Sequence, residues 1–316
     1  MKPSSSTLLI LCVLFWSGNY VLGRVVVATI PPITLTYLRW LGAFLIFLAF
    51  TWKEFKAHLP VLKEKFWLFV LLGIAGMMGY NIFQYLSVKY TTAINASIIN
   101  SSTPMLTAVA AYIFLHEKLN LRKVGGILLA FFGVLTIITD SHWLRIFTNP
   151  VNMGDAMMLI AISLNTVYYI VLRKKGKAVP PYTLFLYTAL GALAVCWPLP
   201  LLENYMGGLS WVGELRYYHL LSFLYFAIFP SILSMLFFNK AILDLGPVKT
   251  SIYSNLGIVF TSILGIVFLH EKLFVSHLLG GLFIVCGVYL TNRNGRADKP
   301  GMQAEKKPAV VQRNRT

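Results

Sequence analysis

The chain has 316 residues, 57% hydrophobic and 12% charged, with a formal net charge of +16 and a mean hydropathy of +0.71. A soluble chain carries about 25% charged residues, so this one lacks the polar shell of an ordinary soluble enzyme and is too apolar to be a disordered chain. The composition leaves a polytopic α-helical membrane protein.

A membrane-crossing helix takes about 20 mostly apolar residues. Taken in chain order, ten stretches qualify, each bounded by charges, Pro or Gly: 8–28, 34–52, 67–87, 93–114, 122–139, 153–172, 182–202, 220–240, 248–269 and 276–292. The first is too long for the apolar stretch of a signal peptide and nine more follow it, so it reads as an uncleaved helix. Cys12, Cys196 and Cys286 each sit in an apolar run with no partner at metal-ligand spacing, which makes them small buried hydrophobes and excludes a disulfide framework or zinc site. The tail at 293–316 is polar, basic and proline-containing, and reads as a disordered cytoplasmic segment.

Basic residues favour cytoplasmic loops. With the N-terminus inside, 21 of the 27 Lys and Arg fall in inside segments and 5 in outside loops, leaving Arg39 within the second span. This distribution accounts for the net charge without any nucleic acid. It predicts a multi-pass plasma-membrane protein whose N- and C-termini are both cytoplasmic, with the lipid bilayer as one partner and a small-molecule solute as the other.

The hexamer Phe-Leu-His-Glu-Lys-Leu occurs at 114–119 and again at 268–273, an offset of 154 that also pairs Gly126 with Gly280 and Gly133 with Gly287. Upstream, Pro31-Pro32-Ile33-Thr34-Leu35 pairs with Pro180-Pro181-Tyr182-Thr183-Leu184 at 149, as do Tyr20 with Tyr169 and Arg24 with Arg173. The chain is therefore read as a duplication of a five-span unit, one copy over 8–139 and the other over 153–292. An odd number of spans forces the copies into opposite orientations. The expected fold is all-α, ten transmembrane helices in two inverted five-helix repeats, an architecture that secondary transporters use for alternating access.

Those two halves, with Trp16-Ser17-Gly18-Asn19-Tyr20, Arg39 in the second span, Pro104 in the fourth and two copies of Leu-x-Glu-x-Leu (Leu115, Glu117, Leu119; Leu269, Glu271, Leu273), resemble the EamA family of the drug/metabolite transporter superfamily over roughly 8–292. The second half departs from the pattern at Ile258, where the first has Pro104. The resemblance implies transport of small metabolites, with amino acids or related compounds, exported, as the expected class. It implies no cofactor.

Polar groups inside a bilayer are costly and turn toward the bundle interior. Those in the spans include Trp16, Asn19 and Tyr20; Tyr80, Asn81, Gln84 and Tyr85; Asn95 and Asn100; Asn165, Tyr168 and Tyr169; Ser231, Ser234 and Asn239; and Tyr253 and Asn255. They predict a cavity walled by spans 1, 3, 4, 6, 8 and 9, suited to neutral or zwitterionic solutes. The bland alternative is plain helix-to-helix hydrogen bonding. Arg39 has two readings, a clamp for a solute carboxylate or a head that snorkels toward the outer interface and bonds carbonyls near Pro31 and Pro32; the second is preferred.

All eleven acids fall in loops, span ends or the tail, with Asp155 and Asp244 nearest a span and both expected at the interface. That argues for facilitated diffusion or exchange over proton coupling. Glu117 and Glu271 are expected to tie down helix ends. The His-Glu pairs at 116–117 and 270–271 lack the second His of a zinc-protease helix, and no nucleophile elbow or phosphate loop is present, so no catalytic or metal site is expected. An intramembrane enzyme and a non-transporting membrane sensor remain the competing readings.

Overall fold

The computed structural model describes residues 5–116, 121–139, 152–176, 179–245, 250, 253 and 256–292. They form α1 (Ser5–Val26), α2 (Pro32–Ala57), α3 (Leu59–Leu72), a π-helix (Gly73–Gly79), α4 (Tyr80–Tyr90), α5 (Ala93–Asn100), α6 (Thr103–Leu115), α7 (Leu121–Ile138) and α8 (Met153–Lys175). These are followed by α9 (Pro181–Cys196), α10 (Pro198–Gly207), α11 (Tyr217–Phe226), a second π-helix (Ala227–Leu233), α12 (Ser234–Leu245), α13 (Leu256–Leu269) and α14 (Val275–Asn292). No strand occurs among the described residues. In hydrocarbon every backbone N–H and C=O must be satisfied internally, and a helix does so within one segment.

Six helical segments are long and apolar enough to cross a membrane: Thr7–Val26, Pro32–Ala57, Leu59–Tyr90, Ala93–Leu115, Met153–Lys175 and Tyr217–Leu245. A seventh candidate, Pro181–Cys196 with Pro198–Gly207, bends by 44° where Pro198 begins a new helix. Shorter apolar helices at Val124–Ile137, Leu256–Leu269 and Val275–Gly287 lie within the fifth, ninth and tenth expected stretches. Prolines stand where a helix tolerates them, in the first turns of α2, α3, α6, α9 and α10. Pro104 thus opens α6 after a break at Ser101–Ser102, whose hydroxyls donate to the Ile98 and Ile99 carbonyls. Cys12 and Cys196 are buried, but Cys286 is exposed on α14, contrary to the expectation of burial.

The two π-helices interrupt the third and eighth expected spans at positions 154 residues apart. A π-turn widens the helix and frees carbonyls. Ser231 and Ser234 hydroxyls reach back five residues to the Phe226 and Phe229 carbonyls, at 2.6 and 2.9 Å, around Pro230, which has no N–H to give. Two indoles supply further donors: Trp40 to the Met77 carbonyl at 2.9 Å and Trp16 to the Pro230 carbonyl at 3.1 Å. Gly73 lies so near Thr188 and Ala192 of α9, and Gly76 so near the Tyr168 ring, that a Cβ on either would overlap them. These glycines serve close packing.

Contacts between helix ends sort consistently. The Glu271 carboxylate, beyond α13, accepts from the Ala93 and Ile94 amides at the start of α5 (2.9 and 3.0 Å) and pairs with Arg24 of α1 at 3.3 Å. Its charge meets the positive end of the helix dipole. Glu271 therefore ties down a different helix from the one it follows; Glu117 lies outside the described residues. Glu203 caps α2 in the same way through the Ile33 and Thr34 amides. At the opposite end Arg173 donates to the Leu243 carbonyl, and Tyr187 to that of Phe55. His116 and His270 both end their helices in the left-handed conformation, φ 55° and 54°.

α7 and α14 run antiparallel at close range. A Cβ on Gly133 would stand 2.6 Å from the Gly280 carbonyl, and one on Gly287 would stand 2.5 Å from that of Gly126. Such stripes let helix backbones approach in a medium that offers no hydrophobic force between helices. Gly133→Val is expected to lower stability by about 1–3 kcal/mol through overpacking, read as a fall in the thermal midpoint in detergent. Gly125→Ala, with nothing within 4 Å of the added carbon, is expected to leave the midpoint unchanged or raise it.

Candidate functional site

Where α1, α2, α4, α8 and the two π-helices converge, they leave a cavity of about 50 Å³. Its polar lining includes Trp16 and Asn19 of α1, Arg39 and Trp40 of α2, Tyr80, Asn81 and Gln84 of α4, Asn100 of α5, and Asn165, Tyr168 and Tyr169 of α8. Pro230, Met235 and Phe238 close the remaining side. A buried water needs roughly 10–15 Å³ of such space, so the cavity holds a few waters and is contracted relative to any organic solute.

Arg39 organises this centre. It is 2% exposed. Its Nη1 donates to Asn19 Oδ1 (3.0 Å), Asn81 Oδ1 (2.8 Å) and Tyr85 Oη (2.9 Å), and its Nε to Ser231 Oγ (2.7 Å). The acceptors come from α1, α4 and the second π-helix, so one guanidinium joins three elements to α2. Aromatic faces complete its surroundings, with the guanidinium carbon 5.2 Å from the Trp40 ring and 6.0 Å from those of Tyr85 and Phe226. The preferred expectation for Arg39 is corrected by this geometry. The side chain does not snorkel toward Pro31 and Pro32, because neutral dipoles inside the bundle solvate it.

The acceptors are themselves held. Tyr85 donates to Asn19 Oδ1 at 2.7 Å, Asn19 to Gln84 Oε1 at 3.3 Å, and Asn81 to the Met77 carbonyl at 2.7 Å. On the opposite side Tyr168 donates to Asn239 Oδ1 at 2.6 Å, and Asn165 to Tyr169 Oη at 2.9 Å. Trp16 meets Phe238 edge-on at 4.7 Å, and Tyr169 lies 5.4 Å from the same ring.

Several expected residues lie elsewhere. Tyr20 stands behind the lining, its hydroxyl 3.1 Å from that of Tyr80. Asn239 supports Tyr168 from behind. Asn95 turns toward Asp155 and Thr91 at the end of the bundle. Tyr253 packs against the core cluster that contains Trp40 and Phe238, and Asn255 lies outside the described residues. The expectation that the second span stays out of the wall is also corrected, since Arg39 and Trp40 both belong to it. Trp40, Met235 and Phe238 were missed, while Tyr80 lines the cavity as its place in the third span suggests. Asp155 lies in the first turn of α8, at a span end as expected, and is 3% exposed, while Asp244 is exposed.

Comparison with known proteins fits this architecture. Residues 4–139 and again 152–293 match the EamA-like transporter family. An uncharacterized transporter of Archaeoglobus fulgidus is 28% identical over 293 residues, covering 92% of this chain and 98% of its own. The uncharacterized transporter YyaM of Bacillus subtilis is 29% identical over 221 residues, covering 70% and 71%. One solved crystal structure superposes with a TM-score of 0.65 at 19% identity, covering 93% of this chain and 99% of its own, a likeness of fold.

Tyr85→Phe removes both a donor to Asn19 and an acceptor for Arg39, whereas Tyr168→Phe frees only Asn239 Oδ1. At about 1 kcal/mol per lost bond, the first is expected to lower the thermal midpoint by roughly twice as much as the second. Equal midpoints would contradict the central position of Arg39.

Proposed function

We propose a transport mechanism from the premise that the chain belongs to the EamA-like transporter family and is a multi-pass membrane transporter. The protein is a secondary carrier for small organic metabolites, amino acids or related compounds, working in the export direction. Ten transmembrane helices form two inverted halves, 8–139 and 153–292, which expose the central cavity first to one side and then to the other. The protein sits in the plasma membrane with both termini and the tail at 293–316 in the cytoplasm.

Three features support inverted halves. The antiparallel α7 and α14 meet through Gly133 with Gly280 and Gly126 with Gly287, and the offset of 154 converts each contact into the other. The π-helices occupy equivalent positions under the same offset. The bond from Tyr85 to Asn19 recurs as that from Tyr168 to Asn239 with the partners exchanged, Tyr85 being equivalent to Asn239 and Asn19 to Tyr168. In this arrangement Glu271 with Arg24 and the start of α5 closes the outer end, and a switch to the other state breaks those contacts. The π-turns at the cavity are suited to such movement, because their carbonyls already bond to side chains rather than to a rigid ladder.

The observation that carries the reading is a central polar cavity walled by both halves. Trp16, Asn19, Arg39, Asn81, Gln84, Asn100, Asn165, Tyr168 and Tyr169 are assigned to solute contact, with Tyr20, Asn95, Asn239 and Tyr253 outside the lining. Flux is uncoupled or by exchange. A second reading, proton coupling at Asp155, draws on the burial of that carboxylate against Asn95.

Purified protein in liposomes loaded with a cell metabolite extract is expected to release a subset of small organic solutes, and Trp16→Ala or Tyr168→Ala to slow that release roughly tenfold or more, about 1.4 kcal/mol per decade. Release no faster than from empty liposomes, or undiminished in both variants, would refute the assignment. Release that stops when an imposed pH gradient is collapsed would favour the second reading.

A further inference from the structure

The two halves build unlike walls, and the difference defines a class of solute. This inference rests on the cavity being the transport site. Offsets of 149 and 154 allow a comparison position by position. Where the first half places Arg39, Asn81 and Gln84, the second places Thr188, Met235 and Phe238. At these three positions the first half carries the charge and the amides and the second does not; elsewhere in the lining Trp16, Trp40 and Tyr80 come from the first half and Asn165 from the second.

The charge on the first wall has no counterion. Among the described residues the one ion pair is Arg24 with Glu271, and no lining residue of the cavity is an acid. Arg39 spends Nε and Nη1 on four neutral acceptors, and its Nη2 donates to no described residue. A guanidinium withdrawn from water and solvated only by dipoles attracts an anion strongly and repels a second cation. Its planar fork also matches a carboxylate or phosphate edge. Also in the lining, Trp16 of the first half and Phe238 of the second meet at 4.7 Å, and Met235 adds a deformable apolar surface.

We propose that the solute is an amphipathic organic anion. Its anionic group docks on Nη2 of Arg39, and its aromatic or apolar body lies against Trp16 and Phe238. A carboxylate and a phosphate share this chemistry, and the carboxylate is the one tested. A zwitterion gains no further attraction here, since no carboxylate waits for its ammonium on the second wall.

The test uses full-length protein in nanodiscs and calorimetric titration with four probes of one shape: phenylacetate, phenylacetamide, phenethylamine and phenylalanine. Phenylacetate is expected to bind at least roughly tenfold more tightly than the amide or the amine, with phenylalanine no tighter than phenylacetate. Gln84→Glu, nearly isosteric, sets a carboxylate on the cationic wall and is expected to abolish the preference for the anion without loss of the thermal midpoint. A titration of the native protein stands whether or not a variant folds. Equal or tighter binding of the amide or amine, tenfold tighter binding of phenylalanine, no binding of any probe, or an intact preference in a folded Gln84→Glu protein would each overturn the inference. The carrier reading fails separately. Vesicles that carry neutral or cationic solutes would keep it while this inference falls, and anion binding without any flux would do the reverse.

Discussion

A full positive charge held near the middle of an apolar bundle constrains everything around it. The guanidinium of Arg39 is withdrawn from water, and a group of that kind is tolerated only where fixed dipoles replace its hydration shell. Asn19, Asn81, Tyr85 and Ser231 do this from three separate elements, and three aromatic rings lie within about 6 Å. Each acceptor must hold its position, which explains the further bonds from Tyr85 to Asn19 and from Asn81 to the Met77 carbonyl. The second π-helix enters the same network because Ser231 both accepts from Arg39 and donates to the Phe226 carbonyl freed by the widened turn.

The second half lacks such a centre. Thr188 stands at the position equivalent to Arg39, and its hydroxyl and the Asn239 amide nitrogen are buried with no hydrogen-bond partner among the described residues. Similar backbones thus carry different chemistry: the guanidinium belongs to the first half alone, while rings and amides line the cavity from both. An inverted pair with identical walls would offer a solute two equivalent poses. A single guanidinium removes that equivalence.

Much of this was legible in the chain itself. Apolar runs marked the helices, of which six or seven are long and apolar enough to cross a membrane among the described residues, and the repeated Phe-Leu-His-Glu-Lys-Leu marked two halves that each match the family. What escaped the sequence depends on tertiary placement. Arg39 was read toward the nearest water because distance along a helix is visible in sequence, whereas the acceptors that would hold it come from residues 19, 81, 85 and 231. Phe238 and Met235 were hidden by their apolarity, which marks a lipid-facing residue and a cavity wall alike. Asn95 looked like a lining residue because polarity in a span says inward without saying toward what; its partner is Asp155, 60 residues away. Nor does any local pattern announce a π-turn, although Pro230 followed by Ser231 and, three residues later, Ser234 supplies what such a turn needs: a missing donor and two hydroxyls to reach back.

The account depends on opposite orientation of the two halves, and sidedness is its most direct test. Single thiols placed at residues 116 and 270 in a cysteine-free background can be labelled with a membrane-impermeant reagent in intact cells. Reaction at 270 from outside, with 116 reacting only after permeabilisation, is the expected result. Labelling of both positions from the same face would contradict the inverted architecture and the carrier built on it.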